Sequence, residues 1–494
     1  MNETALKTNG EAWLQESEWA ESVFVGHWER SGHQAEIIEP ATGEVFRRIG
    51  TVAGDEVPRF CVAARGAQKA WAQLHFEERA RVLRKAAELG EQHFAELAGW
   101  IVRESGSARA KAEFELSITI RSLREAAAMP SLAQGLLLPS TSDRISMCRR
   151  APLGVIGVIA PFNFPLYLAM RAVAPALAVG NAVVLKPDPR TSISGGVIIA
   201  RLLADAGLPG GVLHVLPGGG DVGAALCRDP NVAMIAFTGS TAAGRKVGAL
   251  AGANLKKVSL ELGGKNTLIV LDDADLDVAV SNAAWGAYLH QGQICMATGR
   301  ILVQQSIAGE FTRRLAAKAQ QLTVGNPATD AVVLGPMINA AQVDSAQDIV
   351  DRSIAAGARL EAGGRHDGLF FWPTVLSDVV PGMPAFEEEI FGPVACITRF
   401  GSDDEAVALA NQTEYGLSAG VISSSVGRAL GIGNQLRTGL LHINDQTVAD
   451  DVVNPFGGSG ASGNGTSIGG PANWEEFTQW QWVTIRGAAS AYPI

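Results

Sequence analysis

The sequence predicts an α/β fold organised around a parallel sheet, and three observations carry that reading. Between Val155 and Val270, short β-branched runs alternate with roughly 10 to 20 residues of helical pattern, which is how strands and crossover helices follow one another in such sheets. Glycine-containing polar motifs fall just after those runs, where ligands bind at the carboxyl ends of parallel strands. At 494 residues, 47% hydrophobic and 18% charged, the chain is long enough for two or three domains with cores of their own.

The elements follow in chain order. Met1 to Trp19 is polar and mixed in charge, without the basic start and apolar centre of a secretory signal, and no run reaches the length of a membrane span. The cytoplasm is the expected location. Residues 1 to about 50 read as a leader and short strands, with turn signals at Gly26-His27-Trp28 and Pro40-Ala41-Thr42-Gly43. From Asp55 to Ile101 apolar residues recur at helical spacing, as in Ala80, Leu83 and Ala87, and a second helical run covers Ala108 to about Met129. Arg144 to Arg150 alternates as a strand does.

Six strands are expected next: Val155–Ala160, Ala182–Leu185, Val212–Leu216, Met234–Phe237, Lys257–Leu260 and Thr267–Leu271. Beyond them come strands near Ile301–Val303 and Arg359–Glu361, helices near Gly309–Leu322 and Ala340–Ala356, and an alternating stretch, Phe477 to Ile485, that reads as a partner strand at a subunit interface.

A formal charge of −10 argues against nucleic acid or an anionic membrane as main partner. The five cysteines, Cys61, Cys148, Cys227, Cys295 and Cys396, show no C-x-x-C spacing, which predicts neither disulfides nor a structural metal site.

Chemistry concentrates in two glycine-rich settings, Leu260-Glu261-Leu262-Gly263-Gly264-Lys265-Asn266 and Gln291-Gly292-Gln293-Ile294-Cys295. Small neighbours leave room for a substrate to approach the Cys295 thiol, although a free cysteine is as often an apolar filler. Glu261 ends an alternating run, where a carboxyl can face a cleft or simply be solvated. Pro161-Phe162-Asn163-Phe164-Pro165 is a proline-stiffened loop whose amide can donate to an oxyanion without carrying charge, or serve as a turn. Gly218-Gly219-Gly220-Asp221-Val222-Gly223 satisfies the dinucleotide fingerprint, but several strand–helix units precede it and no acidic residue stands at the expected distance beyond it. A helix starting near Ser240 offers backbone N–H groups to a phosphate.

These motifs, in this order, resemble those of the aldehyde dehydrogenase superfamily over nearly the whole chain. The segments around Cys295, Lys186 and His442-Ile443-Asn444-Asp445-Gln446 are most similar to its benzaldehyde dehydrogenase branch. The resemblance implies a Rossmann-type parallel-sheet cofactor domain (1–138 and 152–262), an α/β catalytic domain (263–470), and oligomerisation segments (139–151, a small β hairpin, and 471–494). It implies Cys295 as nucleophile, Glu261 as the base that activates water, and Asn163 as oxyanion donor. NAD or NADP would meet Lys186, Phe162, Gly239, Ser240, Gly244, Glu389 and Phe391. Pro189 stands where many NAD-preferring members carry Glu, so a relaxed cofactor preference with NAD favoured is expected. The expected partner is a small aldehyde, benzaldehyde or a hydroxy- or methoxybenzaldehyde such as vanillin, and the expected assembly a homodimer or homotetramer. Asn163, Tyr167 and Arg171 are spaced i, i+4, i+8, so a helix opened by Pro165 would run Tyr167 and Arg171 along the substrate tunnel. Phe164, Ile294 and Met296 would supply apolar wall. His290, where many relatives have Asn, reads as a packed structural histidine.

Overall fold

The computed structural model of the chain describes residues 12–132, 135–141 and 143–493, so the expected leader lies, up to residue 11, outside the described residues. The apolar stretch from Asp55 to Ile101 forms three helices, Val57–Gln73, Phe76–Gln92 and Phe94–Ser105. His75 makes the first break: its backbone turns extended and its ring accepts from the Glu77 N–H to start the next helix. Gly106, at φ 67, stops the third with the left-handed backbone that suits glycine. Arg109–Ala128 follows and packs between Phe76–Gln92 and Pro165–Ala178.

All six expected strands form, at Val155–Ile159, Ala182–Lys186, Leu213–Val215, Val232–Thr238, Lys257–Glu261 and Asn266–Val270. Five build one parallel sheet in the order 257–261, 232–238, 155–159, 182–186, 213–215, extended by antiparallel strands Ser22–Phe24 and Trp28–Arg30. Strands 155–159 and 182–186 are buried throughout, as helices on both faces require. The sixth lies apart from the other five. Asn266–Val270 belongs to a second sheet, because the chain crosses over through Leu262-Gly263-Gly264-Lys265. That sheet runs 359–362, 374–377, 394–400, 298–304, 266–270, 418–422, 440–443 and is parallel except at 359–362.

In the first sheet the chain steps from 155–159 to 182–186 and 213–215 on one side, then returns to 232–238 and 257–261 on the other. Winding therefore reverses between 155–159 and 232–238, and the loops leaving those strands flank the crevice where open α/β sheets bind ligands.

A third sheet joins Gly135–Leu138, Arg144–Pro152 and Thr478–Arg486. Of the alternating stretch, Thr478 onward forms this strand and pairs antiparallel with Arg144–Pro152 of the same chain along its whole length, while Phe477 ends the helix before it. Leu137, Trp482 and Leu136 on this sheet remain 79%, 67% and 59% exposed.

Candidate active site

The loop 161–164 leaves strand 155–159 and enters the helix Pro165–Ala178, whose first residue brings a preset φ and no N–H to satisfy. Asn163 is buried, and its Nδ2 donates to the Gln293 carbonyl at 2.8 Å. One amide hydrogen therefore ties this loop to the cysteine loop, and a primary amide has a second to offer the site. Below it lies an ion pair that sequence reasoning missed. Lys111 Nζ meets Glu115 Oε2 at 2.7 Å and donates to the Asn163 carbonyl at 2.6 Å, while Glu115 Oε1 accepts the N–H groups of Leu166 at 2.8 Å and Tyr167 at 3.2 Å. The i, i+4 spacing is the only signal in the sequence, and it ordinarily marks a surface pair.

The approach to Cys295 is strained. His290 (φ 48), Gln291 (φ 55) and Gly292 (φ 67) form a left-handed run, where each non-glycine residue costs on the order of 1–2 kcal/mol. Buried hydrogen bonds hold it: Gln291 Nε2 donates to the carbonyls of Gly106 at 3.0 Å and Pro336 at 2.7 Å, and Gln293 Oε1 accepts from Ile338 N–H at 3.1 Å. Gly292 is required, since a Cβ there would lie 2.2 Å from the Gly392 carbonyl oxygen. His290 is buried edge-on to Phe164 at 5.7 Å, and burial together with nearby Lys111 holds its pKa well below the ordinary value. Neither of its ring nitrogens has a hydrogen-bond partner among the described residues.

On the far side of the thiol, Asn266 Nδ2 donates to the carbonyls of Cys295 at 2.8 Å and Ala297 at 2.9 Å, and Thr447 Oγ1 donates to that of Met296 at 2.7 Å. Cys295 keeps a partial opening yet is enclosed on most sides; burial pushes its thiol up to about 12, with Arg171 the main opposing influence.

Glu261 closes strand 257–261 at the edge of the first sheet and forms an antiparallel bridge with Gly463. It is 4% exposed and neither carboxylate oxygen has a hydrogen-bond partner among the described residues. Burial raises its pKa well above the usual carboxylate value, and Arg171 pulls it partly back.

Tyr167 and Arg171 do lie along one stripe of the helix, and both are already engaged. The Tyr167 hydroxyl donates to Asp450 Oδ2 at 2.9 Å, and Arg171 meets the same oxygen at 3.4 Å while its guanidinium covers the Phe456 ring at 3.9 Å. The Tyr167 hydroxyl is thus held by Asp450 rather than left open to the cluster. Phe164, Tyr167, Ile294 and Met296 share an apolar cluster with Ile118, Val452 and Phe456, against which Cys295 packs. Asp450 was invisible in the acidic pair Asp450-Asp451, which reads as solvated.

On the opposite side, Ser240 caps the helix Thr241–Ala253 by accepting from Ala243 N–H, and the first turn faces the crevice at the winding reversal. Gly239 and Gly244 are close-packed: a Cβ would come within 2.6 Å of the Phe237 ring and 2.3 Å of Leu262. Lys186 ends its strand buried, its amine donating to the Pro187 carbonyl at 3.1 Å. Pro189 opens a short 3-10 turn, and Arg190 beside it pairs with Asp188 at 2.7 Å and lies 4.3 Å from the Phe162 ring centre. Phe162 meets Phe391 edge-on at 5.9 Å, with Phe391 held at φ 51. Glu389 Oε1 accepts the Gly264 N–H at 3.0 Å, and burial lifts its pKa to about 7. The acidic run Glu387-Glu388-Glu389 is thus divided: Glu388 pairs with Arg352 on the surface, and only Glu389 turns inward.

Comparison with known proteins fits this geometry. The aldehyde dehydrogenase family pattern matches residues 28–483. A vanillin dehydrogenase of Amycolatopsis sp. is 54% identical over 98% of this chain and 100% of its own length. A benzaldehyde dehydrogenase [NAD(+)] of Pseudomonas putida is 49% identical over 96% of this chain and 98% of its own. Among solved structures, betaine aldehyde dehydrogenase from Staphylococcus aureus in complex with NAD+ superposes with a TM-score of 0.93 at 30% identity, covering 96% of each chain.

Proposed function

The chain belongs to the aldehyde dehydrogenase family, and on that premise we propose that it oxidises aromatic aldehydes to carboxylic acids with NAD or NADP, through a thioester on Cys295. The observation that carries the aromatic reading is the cluster of Phe164, Tyr167, Phe456, Ile294 and Met296 against Cys295, which offers flat apolar walls to a ring. The names of the vanillin and benzaldehyde dehydrogenases support it.

In this reading Cys295 Sγ, once deprotonated, bonds to the aldehyde carbon, and the oxyanion accepts from the second Asn163 amide hydrogen and the Cys295 N–H. A bound nicotinamide would supply the hydride acceptor, and Cys295 would then hold the oxidised carbon as a thioester. Glu261 then takes a proton from water, the hydroxide adds to the thioester carbon, the C–S bond breaks, and the acid departs with the thiolate restored. The unpaired, buried Glu261 carboxylate is a group with no structural partner to lose by this work. It also favours hydrolysis over transfer to CoA, the alternative fate of the thioester; aliphatic aldehydes are the alternative substrates.

The residues present suit the cofactor. Lys186 and the first turn of Thr241–Ala253, entered through Gly239 and Ser240, supply positive charge and N–H donors, and Glu389 with Phe391 and Phe162 forms a hydroxyl acceptor beside two flat walls. Residues 1–138 and 152–262 form the cofactor domain and 263–470 the catalytic domain. The segments 139–151 and 471–494 join copies of the chain, supported by the exposed Leu136, Leu137, Trp480 and Trp482, a patch that a lone subunit has reason to cover. Five free cysteines support a cytoplasmic location.

The test is to incubate the enzyme with benzaldehyde or acetaldehyde, NAD or NADP, with and without CoA, and follow reduced cofactor. Benzaldehyde should be oxidised without CoA; a preference for acetaldehyde overturns the aromatic reading, and a requirement for CoA overturns hydrolysis.

A further inference from the structure

The apolar cluster around Cys295 contains one feature the thioester chemistry does not use, the buried carboxylate of Asp450. We propose that Asp450 is a specificity-determining residue that accepts a hydrogen bond from a phenolic hydroxyl on the substrate ring, so that the preferred substrates are hydroxylated benzaldehydes. This rests on the aromatic reading above.

Asp450 lies between Val448 and Val452, both of which pack in the cluster with Cys295. Its side chain is 9% exposed, and Oδ2 takes both the Tyr167 hydroxyl, at 2.9 Å, and Arg171, at 3.4 Å. Oδ1 has no hydrogen bond among the described residues, yet it does not belong to the fully enclosed unpaired atoms. A carboxylate has lone pairs on both oxygens, so one acceptor is held in place and the other is open. The Tyr167 contact is itself a phenol donating to this carboxylate, the same chemistry a ring hydroxyl would repeat. Through its bond to Tyr167, a wall of the cluster against which Cys295 packs, the Asp450 carboxylate stands at the edge of the space that a ring bound at the thiol would fill.

The pair excludes the other ligand a buried carboxylate suggests. Arg171 neutralises Asp450, and its guanidinium occupies the Phe456 face, where a substrate ammonium would otherwise find its cation–π contact. A site built around an open acceptor also discriminates against the analogue with no donor, because the acceptor is then left buried and unpaired.

The test compares kcat/KM for 3- and 4-hydroxybenzaldehyde with that for the corresponding methyl ethers, at a pH that keeps the phenol protonated. For the better-placed isomer the wild-type hydroxyl-over-ether ratio should be about tenfold or more, the size of one charge-assisted hydrogen bond. It should fall toward one in Asp450→Leu, which removes the acceptor, and in the double variant Asp450→Leu with Arg171→Met, which leaves no lone buried charge. Raising the pH until the substrate phenol ionises should erase the wild-type ratio, since a phenolate cannot donate and is repelled; this arm needs no variant to fold. A wild-type ratio near one for both isomers, a ratio that survives both variants, or one indifferent to phenol ionisation overturns the assignment. Failure to oxidise any benzaldehyde sinks the aromatic reading, and this inference with it.

Discussion

Lys111 and Glu115 pair at 2.7 Å with side chains 1% and 0% exposed, directly beneath the loop that carries Asn163. The lysine holds that loop's carbonyl and the glutamate holds the first N–H groups of the helix behind it, so one ion pair fixes both ends of the oxyanion segment. Removing one partner of a buried pair strands the other, at a cost of about 3–5 kcal/mol. Lys111→Met should lower stability by about that amount in urea denaturation, and the folded fraction should show reduced kcat. Glu115→Gln should cost about as much, because its amide oxygen still accepts from Leu166 and Tyr167 but its NH2 then faces Lys111 Nζ, which loses its counter-charge. Equal stability of Lys111→Met and wild type would show that the pair holds nothing.

Cys295→Ala should abolish turnover and leave NAD binding, measured by quenching of protein fluorescence, since the thiol is not among the groups that would hold the cofactor. Glu261→Gln should release about one equivalent of reduced cofactor per site and then stall as acyl-enzyme. A normal steady rate in that variant would assign water activation to another group.

The strands and the large motifs were legible because their signals are local: β-branched runs at 155–159 and 182–186, and Pro165 opening a helix. What was not legible is long-range. A strand's own pattern does not name its neighbour, so nothing local says that Asn266–Val270 leaves one sheet for another, and only the boundary at 263 implied by the family resemblance does. The left-handed run at His290–Gln291 is likewise hidden, since its hydrogen bonds go to Gly106 and Pro336, far along the chain. The i, i+4 pair Lys111–Glu115 and the adjacent acids Asp450-Asp451 look like surface chemistry until packing buries them.

Activity should rise with pH. The reacting forms are the thiolate of Cys295, whose thiol burial pushes up to about 12, and ionised Glu261, whose pKa is raised well above the carboxylate range. Both fractions grow as pH rises, so kcat should increase from neutral toward alkaline pH. The sign for stability is opposite. A carboxyl with a raised folded pKa contributes stability that is present below its unfolded value and lost as pH rises through the folded one. Alkaline pH should therefore lower Tm in the wild type more than in Glu261→Gln; an acid optimum of kcat contradicts this assignment.

Cofactor choice should be relaxed, because Pro189 can neither accept from ribose hydroxyls nor repel a 2′-phosphate, while Lys186 and Arg190 stand nearby as cations. The two kcat/KM values should lie within about a thousandfold, roughly 4 kcal/mol. Pro189→Glu should shift preference toward NAD. A larger wild-type discrimination, or no shift in the variant, would mean that other residues select.

Tyr167 gives the sharpest test of the tunnel, because its ring and its hydroxyl do separable things. The ring packs with Phe164, Ile294 and Met296 beside Cys295, whereas the hydroxyl is committed to Asp450. Tyr167→Ala deletes the wall and should raise KM for benzaldehyde far more than for acetaldehyde, which is too small to touch it. It should also cost about 3–5 kcal/mol of stability, as truncation of a buried aromatic does. Tyr167→Phe keeps the wall and removes one donor from Asp450, so it should leave KM for benzaldehyde close to wild type and lose only about 1–3 kcal/mol of stability. If both variants raise KM for both aldehydes equally, Tyr167 acts through general packing of the helix Pro165–Ala178. If only Tyr167→Phe harms benzaldehyde oxidation, its hydroxyl rather than its face meets the substrate, and the Asp450 contact is broken on binding.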